Sequence, residues 1–172
     1  MYVATVDIGA EGLQVDRVLE PAALRAREEG RGLELEGVHL SGWIHRLGEG
    51  FEFRGRLDTA VRLPCSRCLE SYRQQCSLPF DLIYRERAAG EPGGLPEPDD
   101  PGISFLEEGR IDLGRLVLEQ IHLAMPLKPL CRTDCPGLCP TCGAPRAAGD
   151  CGCREEGVDP RWAALRKLKK DL

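Results

Sequence analysis

Apolar and polar positions alternate through the stretch from Leu33 to Leu63: Leu33 and Leu35, then Val38 and Leu40, later Phe51 and Phe53, then Val61 and Leu63. A period of two is that of a strand with one buried face. The tetrapeptide Leu47–Gly50 (LGEG) interrupts the alternation as a hairpin turn would, so two long antiparallel strands are predicted. Tyr2–Ile8, rich in β-branched residues, predicts a first strand, and Ser77–Ala88 a further one. Elsewhere the period lengthens. Glu20–Gly30 reads as a short helix ended by Gly30 and Gly32. Ile111–Pro126 is the strongest helix. Asp112 can cap it, Leu113, Leu116, Val117, Leu118, Ile121, Leu123 and Ala124 make it apolar on most sides, and Pro126 ends it. A last helix is predicted where Asp159 supplies a cap, Pro160 a first turn, and Trp162, Leu165 and Leu168 recur at helical spacing.

Ala89–Gly102 breaks every pattern. It holds four prolines, four glycines and four acids and almost nothing to bury, as in a loop or linker. The expected fold is therefore α+β. An antiparallel, barrel-like β-sheet comes from a β-rich region, 1–87; a flexible acidic Pro/Gly loop spans 88–110; the core helix spans 111–126; a cysteine-rich module and basic C-terminal helix span 127–172.

Composition sharpens this picture in two places. The 172 residues are 42% apolar and 30% charged, a balance suited to a globular chain that buries a core without cross-links. No run approaches the roughly 18 uninterrupted apolar residues of a spanning helix. The opening MYVATVDIGAEG lacks the basic and apolar regions of a secretory signal. The expected location is cytoplasmic, without membrane contact, where thiols stay reduced. Charge is uneven: the overall −5 divides into +3 from Lys128 onward and −8 before it. The closing RWAALRKLKKDL carries Arg161, Arg166, Lys167, Lys169 and Lys170 against one acid. These five are candidate contacts for an anionic partner.

The cysteines number nine, and six lie between Cys131 and Cys153. An odd count in a reducing compartment argues against a disulfide framework. Cys65–Cys68 and Cys139–Cys142 are C-x2-C pairs, the second in a CPTCG knuckle. Such a turn grips one ion with two thiolates, while its amides stabilise the sulfurs and its glycine takes a positive φ. Cys131–Cys135 and Cys151–Cys153 are looser pairs. Four pairs suit two four-thiolate zinc sites: Cys139, Cys142, Cys151 and Cys153 as one ribbon-like site, and Cys65, Cys68, Cys131 and Cys135 as a staple between the sheet and the tail module. Cys76 is left over as a buried thiol. One zinc with spare thiols also fits the spacing, and an iron–sulfur cluster would use the same ligand type. Thiol redox chemistry fits less well, because no thioredoxin-like βαβ pattern surrounds either pair.

Catalytic motifs are not evident. The sequence holds no P-loop, dinucleotide fingerprint, H-E-x-x-H or G-x-S-x-G. His39 and His122 read as structural residues, and Trp43 and Trp162 as core anchors. All-cysteine sites are closed, whereas a catalytic zinc keeps an open position. The chain thus reads as a non-enzyme with no small-molecule substrate evident. The readings that remain are a scaffold or assembly factor, a zinc-ribbon nucleic-acid-binding regulator, and a thiol oxidoreductase.

In order along the chain, CSRCLE (Cys65–Glu70), IDLGRLVLEQIHLAMPLKPLC, DCPGLCPTCG and DPRWAALRKL resemble the YceD family of large ribosomal RNA subunit accumulation proteins. The resemblance runs from about Val61 to the end. It carries Cys65, Cys68, Glu70, Pro126, Cys131, Cys135, Gly137, Leu138, Cys139, Cys142, Gly143, Cys151, Cys153, Asp159, Pro160 and Arg161. It departs at GAPRAAGDCGC, where the family often has asparagine-rich residues. The resemblance implies a role in 23S rRNA accumulation and large-subunit assembly, with ribosomal RNA or a large-subunit ribosomal protein as partner. It also implies no enzymatic activity, and a metal that stabilises this branch of the family, since other members lack several of these cysteines.

Overall fold

The computed structural model describes residues 1–27, 34–86 and 103–153. In chain order its elements are β1 (Tyr2–Ala4), β2 (Leu13–Leu19), α1 (Pro21–Arg25), β3 (Glu34–Leu47), β4 (Gly50–Pro64), β5 (Ser71–Arg85), β6 (Ile103–Phe105), β7 (Arg110–Asp112) and α2 (Leu113–Ala124). Five strands form one sheet in the order β2-β3-β4-β5-β6, antiparallel except for the parallel pair β5–β6. A separate two-stranded ribbon pairs β1 with β7.

The two long strands arise where the alternation predicts them. Leu47 pairs with Gly50 across a two-residue turn led by Gly48 at φ 57, a conformation glycine adopts without strain. The change of parity between Leu35 and Val38 is a β-bulge. The register shifts between Glu36 and His39, with Gly37 at φ 56, so Leu35, Val38, Leu40 and Ile44 all remain buried. β4 keeps its register and buries Phe51, Phe53, Leu57, Val61 and Leu63 on the same face. Each large side chain so buried contributes about 1.5–3 kcal/mol. Where Gly42 faces Gly55, a Cβ at Gly55 would lie 2.4 Å from the Ser41 carbonyl oxygen and 2.7 Å from the tip of Phe80. The missing side chain at Gly55 leaves room for Phe80, which meets Phe53 edge to face at 5.0 Å between ring centroids.

The sheet is not a barrel. Among the described residues β2 and β6 bond only to β3 and β5, so both edges stay open. After the three residues of β6 the chain leaves the sheet for β7 and α2, and the helix packs against β5 and β1. Asp112 caps the helix, accepting from the amides of Gly114 and Arg115. It also receives both of its ion-pair bonds from one nitrogen of Arg27, at 2.6 and 2.7 Å. Leu113, Leu116, Val117 and Ile121 face the core, but Leu123 is 80% exposed. The helix is therefore one-sided, not apolar all round, and Leu123 and Ala124 lie off its buried stripe.

Other expectations shift as well. β1 ends at Ala4, because Thr5–Asp7 turns into a 3-10 helix whose Thr5 amide bonds the Gly109 carbonyl. The third long strand begins at Ser71, six residues before the predicted Ser77. Within the stretch expected as loop Ile103–Phe105 is a strand, and where that loop meets the expected helix Arg110–Asp112 is another. Trp43 is not a core anchor. It sits on the outward face of β3, 46% exposed, stacked on His45. His39 bonds Asp16 at 2.9 Å, and His122 bonds the Leu118 carbonyl at 2.7 Å. The 88–102 part of the loop and the C-terminal helix with Trp162 lie outside the described residues.

Candidate metal centres

Both C-x2-C segments fold as the same turn. In the first, which joins β4 to β5, the Cys65 amide donates to the Glu70 carbonyl at 2.9 Å, and the Leu69 amide returns to the Cys65 carbonyl at 2.9 Å. In the second, the Cys139 amide donates to the Ala144 carbonyl at 2.8 Å, and the Gly143 amide returns to the Cys139 carbonyl at 2.9 Å. The residue four places after the first cysteine is left-handed in both, Leu69 at φ 63 and Gly143 at φ 74. This tight turn aims backbone N–H groups at the leading sulfur, as the Arg67 amide does to Cys65 Sγ at 3.5 Å. The twin turn at Leu69 is a feature the sequence reading missed, because no glycine marks it.

Each turn meets a second pair of cysteines. Pro126 ends α2, and the chain runs back over the first knuckle, where the Ser66 amide bonds the Pro129 carbonyl at 2.8 Å. The Arg67 guanidinium donates to the Cys135 carbonyl at 2.9 Å, and a Cβ at Gly137 (φ 72) would lie only 3.1 Å from the Arg67 carbonyl oxygen. The result brings the sulfurs of Cys65, Cys68, Cys131 and Cys135 within 4.8 Å of one another. Those of Cys139, Cys142, Cys151 and Cys153 are equally close. These are the two sets of four that the spacing suggests. Cys76 stands apart on β5, opposite Thr59, buried in the main core. Arg161, Arg166, Lys167, Lys169 and Lys170 lie outside the described residues.

The distances discriminate between chemistries. Cys65–Cys135 and Cys68–Cys131 are each 3.8 Å, Sγ to Sγ. A disulfide would bring them to about 2.05 Å. A tetrahedron of thiolates about 2.3 Å from a central zinc has edges of about 3.8 Å. Sulfurs this close leave room for a single ion, not for a cluster of several irons and sulfides.

The electrostatics favour a cation. Amide hydrogen bonds, first from Cys131 and then from Cys68, pull the Cys65 thiol down to about 6. The amides of Cys142 and Thr141 do the same for Cys139, also to about 6. Their partners move the other way. Desolvation by the neighbouring cluster, then the sulfurs of Cys135, Cys65 and Cys68, push the thiol of Cys131, an exposed residue, up to about 12. The sulfurs of Cys142 and Cys151 push Cys153 up to about 12. At Cys68 the Glu70 amide lowers the thiol, but burial and the sulfurs of Cys65 and Cys135 outweigh it and leave it raised. At Cys151 the Cys153 amide lowers, yet Cys139 and Cys142 raise it further. One preset thiolate per site with reluctant neighbours is what four clustered thiols do without a counter-charge. A divalent cation removes the conflict by deprotonating its ligands outright. The donor set thus fits a soft or borderline tetrahedral ion.

These features define a class: a β-sheet protein carrying two four-cysteine clusters that could each hold a metal ion, one of which joins a strand connection to the chain beyond the core helix. The family model of the large ribosomal RNA subunit accumulation protein YceD matches residues 53–169, and the chain belongs to this family. It is 36% identical to an uncharacterized protein of Mycobacterium tuberculosis over 127 residues, covering 73% of this chain and 58% of that protein. It is 25% identical over 162 residues to the chloroplastic large ribosomal RNA subunit accumulation protein YCED homolog 1 of Arabidopsis thaliana, covering 78% of this chain and 49% of the relative. Against the large ribosomal RNA subunit accumulation protein YceD of Haemophilus influenzae it is 35% identical over 79 residues, 45% of this chain and 43% of the relative. The chain thus spans about half the length of the curated relatives it matches. No solved structure matches it. The names of the family and of the Arabidopsis and Haemophilus relatives point to accumulation of large-subunit ribosomal RNA, not to an enzyme. Among the described residues no helix is long and apolar enough to cross a membrane.

Proposed function

We propose that this protein is a non-catalytic, zinc-binding factor that supports 23S rRNA accumulation and assembly of the large ribosomal subunit. The observation that carries the reading is the matched stretch itself. Residues 53–169 contain all eight clustered cysteines, so the family segment and the two thiolate centres are one unit. Zinc suits both centres because its closed tetrahedral thiolate sites are structural. There Cys65, Cys68, Cys131 and Cys135 would hold one ion, and Cys139, Cys142, Cys151 and Cys153 a second.

The surface that meets the ribosomal partner is assigned to the basic tail. On the outer face of the sheet Arg54 is paired with Glu52 and Asp81 at 2.8 and 2.9 Å. Arg62 and Arg73 share Glu36 at 2.7 and 2.8 Å. Arginines so neutralised attract phosphate weakly. Arg161, Arg166, Lys167, Lys169 and Lys170 are the concentrated positive charge of the sequence, and RNA phosphates or an acidic segment of a ribosomal protein are the partners they suit.

The test is deletion of the gene in its own host, followed by the ratio of 23S to 16S rRNA and the profile of ribosomal subunits. Loss of 23S rRNA and of large subunits, restored by the intact gene, is the expected result. An unchanged ratio, with transcription of unrelated operons altered instead, would replace the assembly factor with a zinc-ribbon regulator. A thiol oxidoreductase is disfavoured by the first knuckle, whose Cys65 is fully buried.

A further inference from the structure

The two centres are held very differently. In the inner centre Cys65, Cys68 and Cys135 are buried and pack with Tyr72 and Leu130 as a small core of their own; Cys131 alone is exposed. Its ligands come from two segments 63 to 70 residues apart, fastened by the Ser66–Pro129 bond and by Arg67. To open it, the strand connection must part from the chain beyond α2. In the outer centre Cys139 alone is buried, while Cys142, Cys151 and Cys153 are exposed. All four lie in one short run. Among the described residues its knuckle is tied down through Cys139, Gly143 and the bond from Arg146 to Gly137, and the turn after it is closed locally, from Ala148 to Pro145 and from Gly149 to Arg146. The arm bearing Cys151 and Cys153 contains Gly149 and Gly152, and a Cβ built at either meets nothing within 4 Å. Among the described residues the backbone amides of the pair bond within the arm, Gly152 to Asp150 and Cys153 to the Cys151 sulfur.

We propose that the outer centre is an exchangeable metal site, which takes up and gives up its ion in the folded protein, while the inner centre is permanent. The proposal rests on the zinc reading of both clusters. Exchange is a ligand replacement. An incoming carboxylate, amine or thiolate donates a lone pair to the ion as the Cys151 or Cys153 thiolate leaves with its own pair and then takes a proton from water. No electrons change hands. Solvent reaches these sulfurs directly, and moving the arm uncovers no core. At the inner centre burial shields Cys65, Cys68 and Cys135 and leaves Cys131 as the one exposed ligand, while outer hydrogen bonds hold the two segments together. The outer site would therefore follow the free zinc level, and the order of the stretch from Gly137 to Cys153 would follow it too.

The test uses the full chain purified with its metal. Excess EDTA is added under native conditions, released zinc is followed with a metallochromic dye, and freed thiols are trapped by pulses of iodoacetamide and mapped by mass spectrometry. One equivalent should leave about 10–100-fold faster than the other. The first label should fall on Cys142, Cys151 and Cys153, with Cys65, Cys68 and Cys135 silent. A Cys151→Ser/Cys153→Ser variant should fold, keep one slowly released ion and lose the fast phase. Release of both ions in one phase, early label on the inner cysteines, or a fast phase surviving in the variant overturns the proposal but leaves the zinc-binding role intact. A chain that holds no metal and takes up none overturns both. Unequal release in a protein whose deletion leaves 23S rRNA unchanged upholds this inference and removes the assembly role.

Discussion

Leu69 and Gly143 occupy the same place in two copies of one turn. Each lies four residues after a leading cysteine, each has a left-handed backbone, and each amide bonds that cysteine's carbonyl at 2.9 Å. A leucine there carries a cost of about 1–2 kcal/mol that glycine does not. Gly143→Ala should impose that cost on the outer turn by dihedral strain alone, since its Cβ would meet nothing. Zinc affinity of the outer site should fall roughly tenfold, about 1.4 kcal/mol, with the inner site unaffected. Leu69→Gly should do the reverse at the inner site, less the extra freedom of about 0.4–1 kcal/mol that glycine gains in the unfolded chain. Competition with a chelating dye reads both.

Replacing a ligand should be distinguishable from replacing a neighbouring thiol. Cys65→Ser and Cys135→Ser should each remove one zinc per chain by elemental analysis and lower the urea midpoint sharply, because a broken inner centre unfastens the strand connection. Cys76→Ser should keep both ions. It should cost about 1–3 kcal/mol instead, for placing a hydroxyl in an apolar core, where burial already pushes the Cys76 thiol up.

Acid should release the metal, because protons compete with it for the thiolates. In the metal-free protein the sign can be followed group by group from the ordinary value of 9.0. Cys65 and Cys139, lowered to about 6, bind fewer protons than in the unfolded chain between about 6 and 9. Their contribution is complete above about 9 and is lost as pH falls through about 6. Cys131 and Cys153, raised to about 12, bind more protons than in the unfolded chain between about 9 and 12. Their contribution is complete below about 9 and is lost as pH rises through about 12. These four thiols thus favour the metal-free fold most near pH 9, and zinc should flatten the dependence. Thermal melts across pH, with and without zinc, measure it.

Charge reversal in the tail should separate binding from folding. Arg166→Glu, Lys167→Glu, Lys169→Glu and Lys170→Glu together should abolish association with large-subunit RNA, leaving zinc content and the melting temperature of the sheet unchanged. In the parent protein, affinity should fall with salt at a slope of about −0.7 to −0.9 per phosphate contacted. Binding unchanged by the four substitutions would move the RNA surface elsewhere.

What the sequence disclosed followed the strength of its local signals. The β3–β4 hairpin was readable because both strands alternate and Gly48 marks the turn. Even the parity change at Gly37 showed, though not its cause. α2 was readable because Asp112 and Pro126 bracket it. β2 escaped notice as an edge strand: Arg17 stands between the buried Val15 and Leu19, and Val18 is 75% exposed, so its alternation is scrambled. β6 and β7 are three residues each, too short for any period. Trp43 was misread because size suggests burial, while its place on β3 turns it outward. The cysteine pairs were legible from spacing. The left-handed Leu69 and the fastening by Arg67 were not, since both depend on segments far apart in the chain.

The inner centre also closes a ring. Cys65 and Cys135 are 70 residues apart, and an ion held between them encircles β5, β6, β7 and α2 in a single coordinated loop. If such a clasp restricts the unfolded chain as a covalent cross-link does, it is worth roughly 4 kcal/mol in chain entropy alone. Metal would then limit how far the polypeptide can expand when it unfolds, and zinc-free chains would be distinguishable by their larger denatured radius before any difference appeared in the native state.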